Sequence, residues 1–342
     1  PTAPHSPTLE QSAAADCARD TAKKIKGNSP NIPSRAPFYK HMKYVCFILI
    51  ATLMTACQPR GQKVGSYTKA RSSDRFEQYW YGGEAEVNTY ALEQNRYGAL
   101  HEGRATLIFV TEPMSVERQV KVGAAAGEAA RTVLKMNATR KFITGVYPYS
   151  VMTSTFSPVD GPAVSYPLKL THTVQEWCGQ TFLQFNREKP KSYRYASYSY
   201  FGSEGDQKGR WSGGLPEDAV WNQIRLEPDA LPVGALEFIP AGIYLRFAHL
   251  DVKPYPAQAR MIDTLAERRH YEIEYQTLPR VVRIAFDADF PHRIRAWEEV
   301  DTESGRVTRA ELLVSDQRAY WSQNKRGDRS ERSRLQLPEN HQ

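Results

Sequence analysis

The stretch Tyr271–Leu278 reads YEIEYQTL, and its apolar residues recur at every second position. Tyr271, Ile273 and Tyr275 therefore point to one side of an extended chain, and the acidic and polar residues between them point to the other. This period of two predicts a β-strand with one buried face.

The same alternation continues beyond a short turn. Val282–Phe290, VRIAFDADF, again has apolar side chains at every second position, and the proline within Leu278–Arg280 favours a compact turn between the two runs. We predict that the runs pair as a hairpin. FPHRIRAW from Phe290 and VTRAELLV from Val307 repeat the pattern around a turn at Glu303–Gly305.

Earlier parts of the chain contain further runs of this kind. The segments predicted as strands are Ala85–Glu93, Thr106–Thr111, Arg118–Val122, Thr132–Lys135, Val151–Phe156, Leu168–Trp177, Thr181–Asn186, Tyr193–Phe201 and Ile243–Leu250. Short strands at such spacing predict a mainly β fold. We expect an antiparallel meander that forms a curved sheet, an open barrel or a sandwich.

One segment breaks the period of two. Pro216 suits the first position of a helix, and the two acidic residues after it favour the positive N-terminal end. Val220, Trp221 and Ile224 then share one helical face. We expect one short helix near 216–225, which closes the end of a barrel or covers an open sheet face.

An apolar segment early in the chain predicts where the protein resides. Met42 and a single lysine precede the run Tyr44–Met54, which small residues separate from Cys57. A cationic start, a short apolar core and small residues before a cleavage point are typical of a secretory signal peptide, and the run is too short to span a membrane. Small residues followed by cysteine resemble a bacterial lipobox. We expect 42–56 to be a lipoprotein signal peptide and Cys57 to carry a lipid.

Composition divides the rest of the sequence. Residues 1–41 begin without Met and are rich in proline, so we expect them to be disordered and translated upstream of the true start. We expect 57–75 to be the lipidated cysteine and a tether, 76–323 a single β-rich domain, and 324–342 a flexible tail. Since no acidic run follows Cys57, we expect a periplasm-facing position on the outer membrane.

The charge balance bounds the partners. The net charge is +7, but the first 56 residues contribute seven cations and three anions, which leaves +3. The cations form no basic stripe, so nucleic acid is not an expected partner. We expect the membrane, bound through the lipid, and an unknown envelope ligand or protein. Cys178 is the remaining cysteine, so no internal disulfide is expected.

The sequence lacks the motifs of common enzymes. His-x-x-x-His, His-Glu-x-x-His, Walker and Gly-x-Ser-x-Gly patterns do not occur, nor do cysteine pairs at zinc spacing. We therefore predict no catalytic residue, no metal ligand and no cofactor, and we favour a non-enzymatic protein.

The stretch Gln175–Phe182, QEWCGQTF, is the most unusual local cluster. One interpretation places Trp177 and Gln180 on the wall of a ligand site, or makes Cys178 a nucleophile. The other interpretation is a strand that kinks at Gly179, with Trp177 and Cys178 packed in the core. We expect the core packing for the thiol.

Tyrosines supply two further candidates. Lys191–Phe201, KSYRYASYSYF, carries tyrosines along a predicted strand, and VYPYS contains another. Such residues line ligand grooves or stack on sugar rings, and they are also ordinary residues of half-buried strands. The predicted ligand-binding set is Tyr149, Trp177, Gln180 and Tyr198.

Four distinctive stretches lie between Tyr79 and Trp321. They read YWYGGEAEVNTYALEQNRYGALHEGRATLIFVTEP, VLKMNATRKFITGVYPYSVMTSTFSPV, QEWCGQ and FPHRIRAWEE. They resemble a family of bacterial lipoproteins of unknown function whose members are often labelled septum formation inhibitor Maf. That label implies an α/β nucleotide pyrophosphatase with a Ser-x-Ser-Pro-Arg-Arg motif, and no such motif occurs after Cys57. The resemblance implies no catalytic residue.

Two functional hypotheses follow. The first is a lipid-anchored, non-enzymatic envelope protein that binds a lipid, a glycan or a partner protein, as a carrier or an assembly factor. The second is an envelope hydrolase, or the pyrophosphatase that the family label implies. A deep apolar cavity would favour a carrier, and two carboxylates that face each other across a polar cleft would favour an enzyme.

Overall fold

A computed structural model describes residues 73–123, 129–265 and 267–338. The predicted signal peptide, the lipid site Cys57 and most of the predicted tether lie outside these residues. The described chain is mainly β, as the sequence predicts, and its strands form a single 15-stranded sheet.

The strands are β1 (Ala85–Arg96), β2 (Ala99–Ser115), β3 (Ala130–Thr144), β4 (Tyr147–Pro158), β5 (Lys169–Glu176), β6 (Gly179–Lys189), β7 (Ser192–Ser199), β8 (Gln207–Ser212), β9 (Leu215–Pro216), β10 (Gly234–Ile239), β11 (Tyr255–Leu265), β12 (Arg268–Tyr275), β13 (Arg280–Asp287), β14 (Ile294–Asp301) and β15 (Val307–Arg318). The α-helices are α1 (Asp74–Trp80), α2 (Val220–Leu226), α3 (Gly242–Phe247) and α4 (Glu331–Arg334). Short 3-10 helices span Glu217–Ala219, Pro228–Ala230, Tyr320–Ser322 and Arg326–Ser330.

The first and last strands are neighbours near the middle of the sheet. The order runs from β8 down to β1, then from β15 down to β9. Pairs are antiparallel except β9 with β10, and Ala85 on β1 lies opposite Arg318 on β15. The predicted meander is therefore confirmed as one open sheet, in which β8 and β9 lie at the two edges.

The hairpins predicted from alternation are present. Tyr271 lies opposite Ile284 and Ile273 opposite Val282, which pairs β12 with β13. The predicted turn before Arg280 joins these two strands, and the predicted turn at 303–305 joins β14 to β15. In these strands the strong alternation of large apolar and charged residues determines which side chains face the core, and this sets the pairing register of the hairpin.

The predicted short helix is confirmed and lies at the centre of the fold. A 3-10 turn, Glu217–Ala219, leads into α2, and all residues of α2 are buried. The Trp221 ring contacts that of Trp297 on β14, with ring centroids 5.1 Å apart. Asn222 donates to the Leu134 carbonyl oxygen on β3 at 2.9 Å. Since β3 and β14 belong to opposite halves of the sheet, the sheet curves around α2.

Two predicted strands are wrong. Ile243–Leu250 contains α3 instead, because a short apolar run fits a buried helix as well as a strand. Arg118–Val122 forms a turn in which Gln119 has a φ of 52°, and Lys121 makes an isolated bridge to Met114. A left-handed residue in the middle of the run is incompatible with an extended strand.

Other elements were not predicted. The helix α1 follows the N-cap Ser73, whose hydroxyl accepts from the Phe76 amide. The strands β8, β10 and β11 were also missed. Within the predicted tail, Glu331–Arg334 is helical and Leu335 is buried.

The buried apolar residues form two main groups. The first core surrounds α2 and includes Trp80, Trp221 and Trp297. The second core lies where α3 packs against the half of the sheet that ends at β8, and it includes Phe185 and Leu245. We call the sheet face that carries both cores the inner face. No helix in the described ranges is both long enough and apolar enough to cross a membrane.

Candidate functional site

The four residues predicted to bind a ligand do not line one site. Tyr149 on β4 is buried on the inner face. Gln180 on β6 points to the opposite face, because it alternates with the buried positions of that strand. Tyr198 on β7 points the same way as Gln180, because it lies opposite Phe182, which is two residues after Gln180. Trp177 lies in the turn between β5 and β6 and is 71% exposed. The structure relates Trp177 to Tyr149 but places Gln180 and Tyr198 on the other face.

Five aromatic residues lie at the ends of consecutive hairpins, and we call them the tip cluster: Tyr97, Tyr147, Tyr149, Trp177 and Tyr200. Tyr97 follows β1, Tyr147 begins β4, Trp177 follows β5 and Tyr200 follows β7. In an antiparallel meander every second turn falls at the same end of the sheet. The topology therefore gathers these aromatic residues at one end.

Hydrogen bonds and ring contacts join the members of the tip cluster. The hydroxyl oxygens of Tyr97 and Tyr149 are 2.7 Å apart, and the Tyr147 hydroxyl donates to that of Tyr97 at 3.2 Å. The rings of Tyr147 and Trp177 have centroids 6.2 Å apart. The Tyr200 hydroxyl donates to Glu176 at 3.3 Å, directly before Trp177. The cluster is therefore one connected surface.

Buried neighbours hold the tip cluster in place. The Tyr149 ring stacks on Phe142, with centroids 4.8 Å apart and an interplanar angle of 4°. The guanidinium of Arg96 lies 4.3 Å from the ring centroids of both Tyr97 and Phe247. Burial, reinforced by the hydrogen bond with Tyr97, raises the pKa of Tyr149, so its hydroxyl keeps its proton. The exposed rings thus rest on a rigid base.

The outer surface of this end of the sheet is apolar. Val146 is 79% exposed in the turn between β3 and β4, and Leu100 is 49% exposed at the start of β2. Exposed charges of both signs occur at this end of the sheet: Glu102 lies two residues after Leu100 on β2, and Arg306 lies near Gly98 in the turn between β1 and β2. Adjacent exposed apolar side chains with a charged margin are typical of interaction surfaces.

The prediction that Cys178 and Trp177 pack in the core is wrong. Glu176 pairs with Gly179, so Trp177 and Cys178 are the two central residues of a hairpin turn, and Cys178 is exposed. A Cβ atom at Gly179 would come within 2.7 Å of the Tyr200 ring. The glycine therefore marks a close approach by an aromatic ring, and it does not mark a bulge that turns the thiol inward.

A buried ion pair fastens α2 to β1. Arg225 Nη2 lies 2.6 Å from Glu86 Oε2, and both side chains are fully buried. Arg225 Nε also donates to the Pro291 carbonyl at 2.9 Å. Burial of Glu86 favours its neutral form, but the Arg225 charge and hydrogen bonds outweigh this effect and lower the pKa to about 2. Both groups therefore remain charged and act as structural fasteners.

A second buried network joins β3, β13 and β14 to the turn before α2. Arg280 bonds Glu217 at 2.6 Å and Glu299 at 3.1 Å, and Glu299 also accepts from Arg140. Burial favours neutral Glu299, but the two arginines lower its pKa to about 2. Each carboxylate is thus matched by an arginine, and Glu217 and Glu299 both line the small cavity beside Asp218.

Asp218 is the buried carboxyl group with the most perturbed ionisation here. It accepts from the Gly242 amide at 2.9 Å, and burial raises its pKa to about 7. Such shifts are typical of catalytic groups. The adjoining cavity measures about 30 Å³, however, which is enough for one or two water molecules and not for a substrate. In the ranges that the structure describes, His, Cys, Asp and Glu side chains form no group of three that could hold a metal ion.

Three members of the tip cluster, Tyr97, Tyr147 and Tyr200, were not in the ligand-binding set predicted from the sequence. Tyr97 and Tyr147 each stand next to a glycine-containing turn, in NRYGAL and TGVYPY. That pattern indicates hairpin ends, but only the topology shows which hairpin ends share one side of the sheet.

Comparisons with models of protein families, with curated proteins and with solved structures find no match to this chain. The resemblance to the lipoprotein family, and the lipid site at Cys57, therefore stay predictions.

Proposed function

We propose that this protein is a non-enzymatic, lipid-anchored envelope protein that binds a partner protein through the tip cluster. The observation that carries the proposal is the tip cluster, in which the exposed Tyr97, Trp177 and Tyr200 lie at hairpin ends on one side of the sheet, above the buried Tyr149, Phe142 and Arg96. Binding energy at protein interfaces is concentrated in Trp, Tyr and Arg. Rings that are already ordered lose little entropy on binding.

A protein fits this surface better than a glycan or a membrane. Sugar sites combine stacking rings with polar groups at their edges, whereas Tyr97 and Tyr149 use their hydroxyls on each other and Val146 and Leu100 extend the apolar area. An anionic membrane surface favours a cationic margin. Here the acidic Glu102 and Glu176 occur at the same end of the sheet as Arg306, so the charged margin carries both signs, as at the polar rim of a protein interface.

The cavities lined by described residues do not favour a lipid carrier. The spaces beside Asp218 and beside His172 measure about 30 and 50 Å³, whereas ligand pockets usually measure about 300–1,000 Å³. A groove of about 590 Å³ crosses β6, β7 and β8, but polar and cationic side chains such as Arg194 and Lys208 line it. Another, of about 450 Å³, lies beside β10 and is lined in part by Lys191 and Glu237. The first groove is thus polar, and the second is lined mainly by apolar residues but has the charged Lys191 and Glu237 in its wall.

The proposed location rests on the predicted lipid at Cys57. Fatty-acid labelling should follow expression from Met42 and disappear in Cys57→Ala. Labelling that persists in this variant would remove the anchor from the proposal while leaving the tip cluster to be tested separately.

Site-specific photo-crosslinking tests the partner surface. A benzophenone amino acid placed at Val146 or Trp177 should yield the same discrete protein adduct in intact cells. The matched control is Met152, which lies on β4 with 39% of its surface exposed but points away from the tip cluster. The partner identified in the adduct should then bind the purified protein, and Tyr97→Ala should weaken that binding at least ten-fold.

Two results would contradict the proposal. Equal adducts from Met152 and Val146 would show that the tip cluster is not the contact surface. Binding to vesicles of phosphatidylethanolamine and phosphatidylglycerol that is lost in Trp177→Ala would assign the tip cluster to a membrane instead of a protein.

A further inference from the structure

Arg246 on α3 is buried without the hydrogen bonds that a guanidinium needs. Its side chain is 9% exposed, and its guanidinium carbon lies 3.8 Å from the ring centroid of Phe201. Among the described residues, no acceptor bonds to its Nε or Nη1 atoms. The nearest carboxylate, Glu204, lies 3.6 Å from Nη1, which is too far for a hydrogen bond.

His172 on β5 offers a second buried nitrogen in the same place. The Thr153 hydroxyl lies 2.9 Å from Nδ1, whereas Nε2 has no hydrogen-bond partner in the described part of the chain. Burial, with Arg140 and Arg246 nearby, lowers the pKa of His172 to about 3, so the ring is neutral. When the Thr153 hydroxyl donates to Nδ1, Nε2 carries the hydrogen and is a donor.

Both residues line one pocket between α3 and the inner face of β5, β6 and β7. Its volume is about 50 Å³. The helix approaches the strand closely there, since a Cβ atom at Gly242 would lie 2.5 Å from the His172 ring. The outer wall contains half-buried residues, Ser197, Glu204 and Gln207, so the pocket is reached from solvent.

We propose that this pocket, the Arg246 pocket, binds the carboxylate group of a small aliphatic monocarboxylate. Arg246 supplies the positive charge, and His172, which lines the same pocket, supplies a neutral donor. A buried polar group that lacks a protein partner is normally satisfied by water or a ligand. Leu183, Leu245 and Leu250 form the apolar part of the wall, against which an aliphatic tail packs.

Size and charge favour a monocarboxylate over a phosphate. The enclosed volume suits about three or four water-sized atoms, which matches a carboxylate group and its first methylene, so the rest of a short tail lies along the half-buried Leu250 at the open side of the pocket. Glu204 lines the same pocket, and hydrogen bonds from His249 and Ser199, with the Arg246 charge, outweigh its burial and lower its pKa. An ionised Glu204 repels a dianion more strongly than a monoanion.

The Arg246 pocket is separate from the tip cluster, and its occupancy does not depend on the proposed partner protein. It is also distinct from the cavity beside Asp218, which lies on the side of Gly242 that faces α2.

The test uses the full chain with 4-bromobutyrate and butyrate as probes. Crystals soaked in 4-bromobutyrate should show a carboxylate in contact with Arg246 and an anomalous bromine signal towards the leucines. Titration calorimetry should show butyrate binding that weakens at least ten-fold in Arg246→Met and stays unchanged in Arg210→Gln, whose arginine is 73% exposed on β8. Phosphate at the same concentration should bind more weakly than butyrate.

Some results would overturn the assignment. Water alone in the pocket of the soaked crystal, or butyrate binding that survives in Arg246→Met, excludes a carboxylate site at Arg246. Phosphate that binds more tightly than butyrate excludes the monocarboxylate. If Arg246→Met does not fold, Arg246→Lys keeps the charge and should bind butyrate with reduced affinity, while the wild-type crystal experiment does not depend on any variant.

Discussion

Two arginines lie buried on the two helices of the interior, and their surroundings differ. Arg225 on α2 meets Glu86 through two nitrogens and the Pro291 carbonyl through the third. Arg246 on α3 meets an aromatic ring and lies 3.6 Å from Glu204, and its Nε and Nη1 atoms donate to no hydrogen-bond partner among the described residues. The guanidinium of Arg225 is thus satisfied by the protein itself, whereas that of Arg246 needs something else.

The difference separates structure from binding within one sheet. A saturated ion pair at the centre of the first core fixes α2 relative to β1. Arg246, beside the second core, has N–H donors without an acceptor among the described residues, and it lines a pocket of about 50 Å³. A buried charge by itself therefore does not indicate a binding site. A buried charged group whose hydrogen-bonding atoms lack partners is the better indicator.

Removing the anion beside Arg225 should produce the largest effect. Glu86→Gln leaves a fully buried guanidinium without a counter-charge, and we expect a loss of about 3–5 kcal/mol in the free energy of unfolding, measured in urea. Glu311→Gln, an exposed position on β15, is the control and should change stability by less than about 0.5 kcal/mol. A loss below about 1 kcal/mol in Glu86→Gln would mean that the ion pair does not hold α2.

Asp218→Asn should change how stability depends on pH. The folded pKa is about 7 and the ordinary value is 3.8, so between these values the folded state keeps a proton that the unfolded state has lost. Stability of the wild type therefore falls from this group as pH rises from about 4 to 7. Asparagine cannot ionise and still accepts from the Gly242 amide.

We therefore expect Asp218→Asn to be more stable than the wild type at pH 8 by about 2–4 kcal/mol, and equal to it within about 1 kcal/mol at pH 4. Urea unfolding across this range measures the difference. A variant that is less stable than the wild type at pH 8 would show that ionised Asp218 is favourable in the folded protein.

Arg246→Met should be nearly neutral, in contrast to the ion pair of Arg225. The substitution removes a buried charge that lacks hydrogen bonds and keeps an aliphatic side chain of similar length. Glu204 loses a cation 3.6 Å away but keeps its hydrogen bond with His249, so we expect a change within about 1 kcal/mol. Arg225→Met, which strands Glu86, should cost about 3–5 kcal/mol under the same conditions. If Arg246→Met and Arg225→Met lower the free energy of unfolding equally, the two arginines do not differ in how well the protein satisfies them.

Trp177→Ala should have the smallest effect on stability. The side chain is 71% exposed in a turn, so we expect the free energy of unfolding, measured by thermal denaturation, to change by no more than about 0.5 kcal/mol. Cys178 beside it is exposed, so a maleimide should label it without denaturant. If the maleimide labels Cys178 only after unfolding, the thiol is packed in the core, as predicted from the sequence, and the turn is not exposed.

The sequence predicted the parts of the fold in which one strong period dominates. In β12 and β13 large apolar residues alternate with charges, and the hairpin follows. In β11 the inward residues include Ala257 and Ala259, which are small, and Pro256 interrupts the run, so the alternation is weak. In α3 a short run of apolar residues fits helix and strand equally well, and only packing against β5 decides between them.

The sites were less accessible than the fold. Trp177 was identified because the local sequence is unusual. Its ring contact with Tyr147, and the hydrogen bond between Tyr147 and Tyr97, depend on which hairpins end on the same side of the sheet. Arg246 stands in the sequence as one cation within an apolar run. Its burial, and the lack of an acceptor in the described structure, arise from the position of α3 against distant strands.

The pairing of β1 with β15 also governs the order in which the molecule can be assembled during synthesis. Gln94 on β1 bonds Thr308 on β15, and 214 residues separate them. Hairpins among β2–β8 pair with their immediate predecessors as they leave the ribosome, whereas β1 keeps one edge open until the end of translation. Such distant contacts slow folding, and an open strand edge pairs readily with other chains. A chain that stops before Val307 lacks the strand that closes this seam, so we expect it to aggregate even though most of its hairpins are complete.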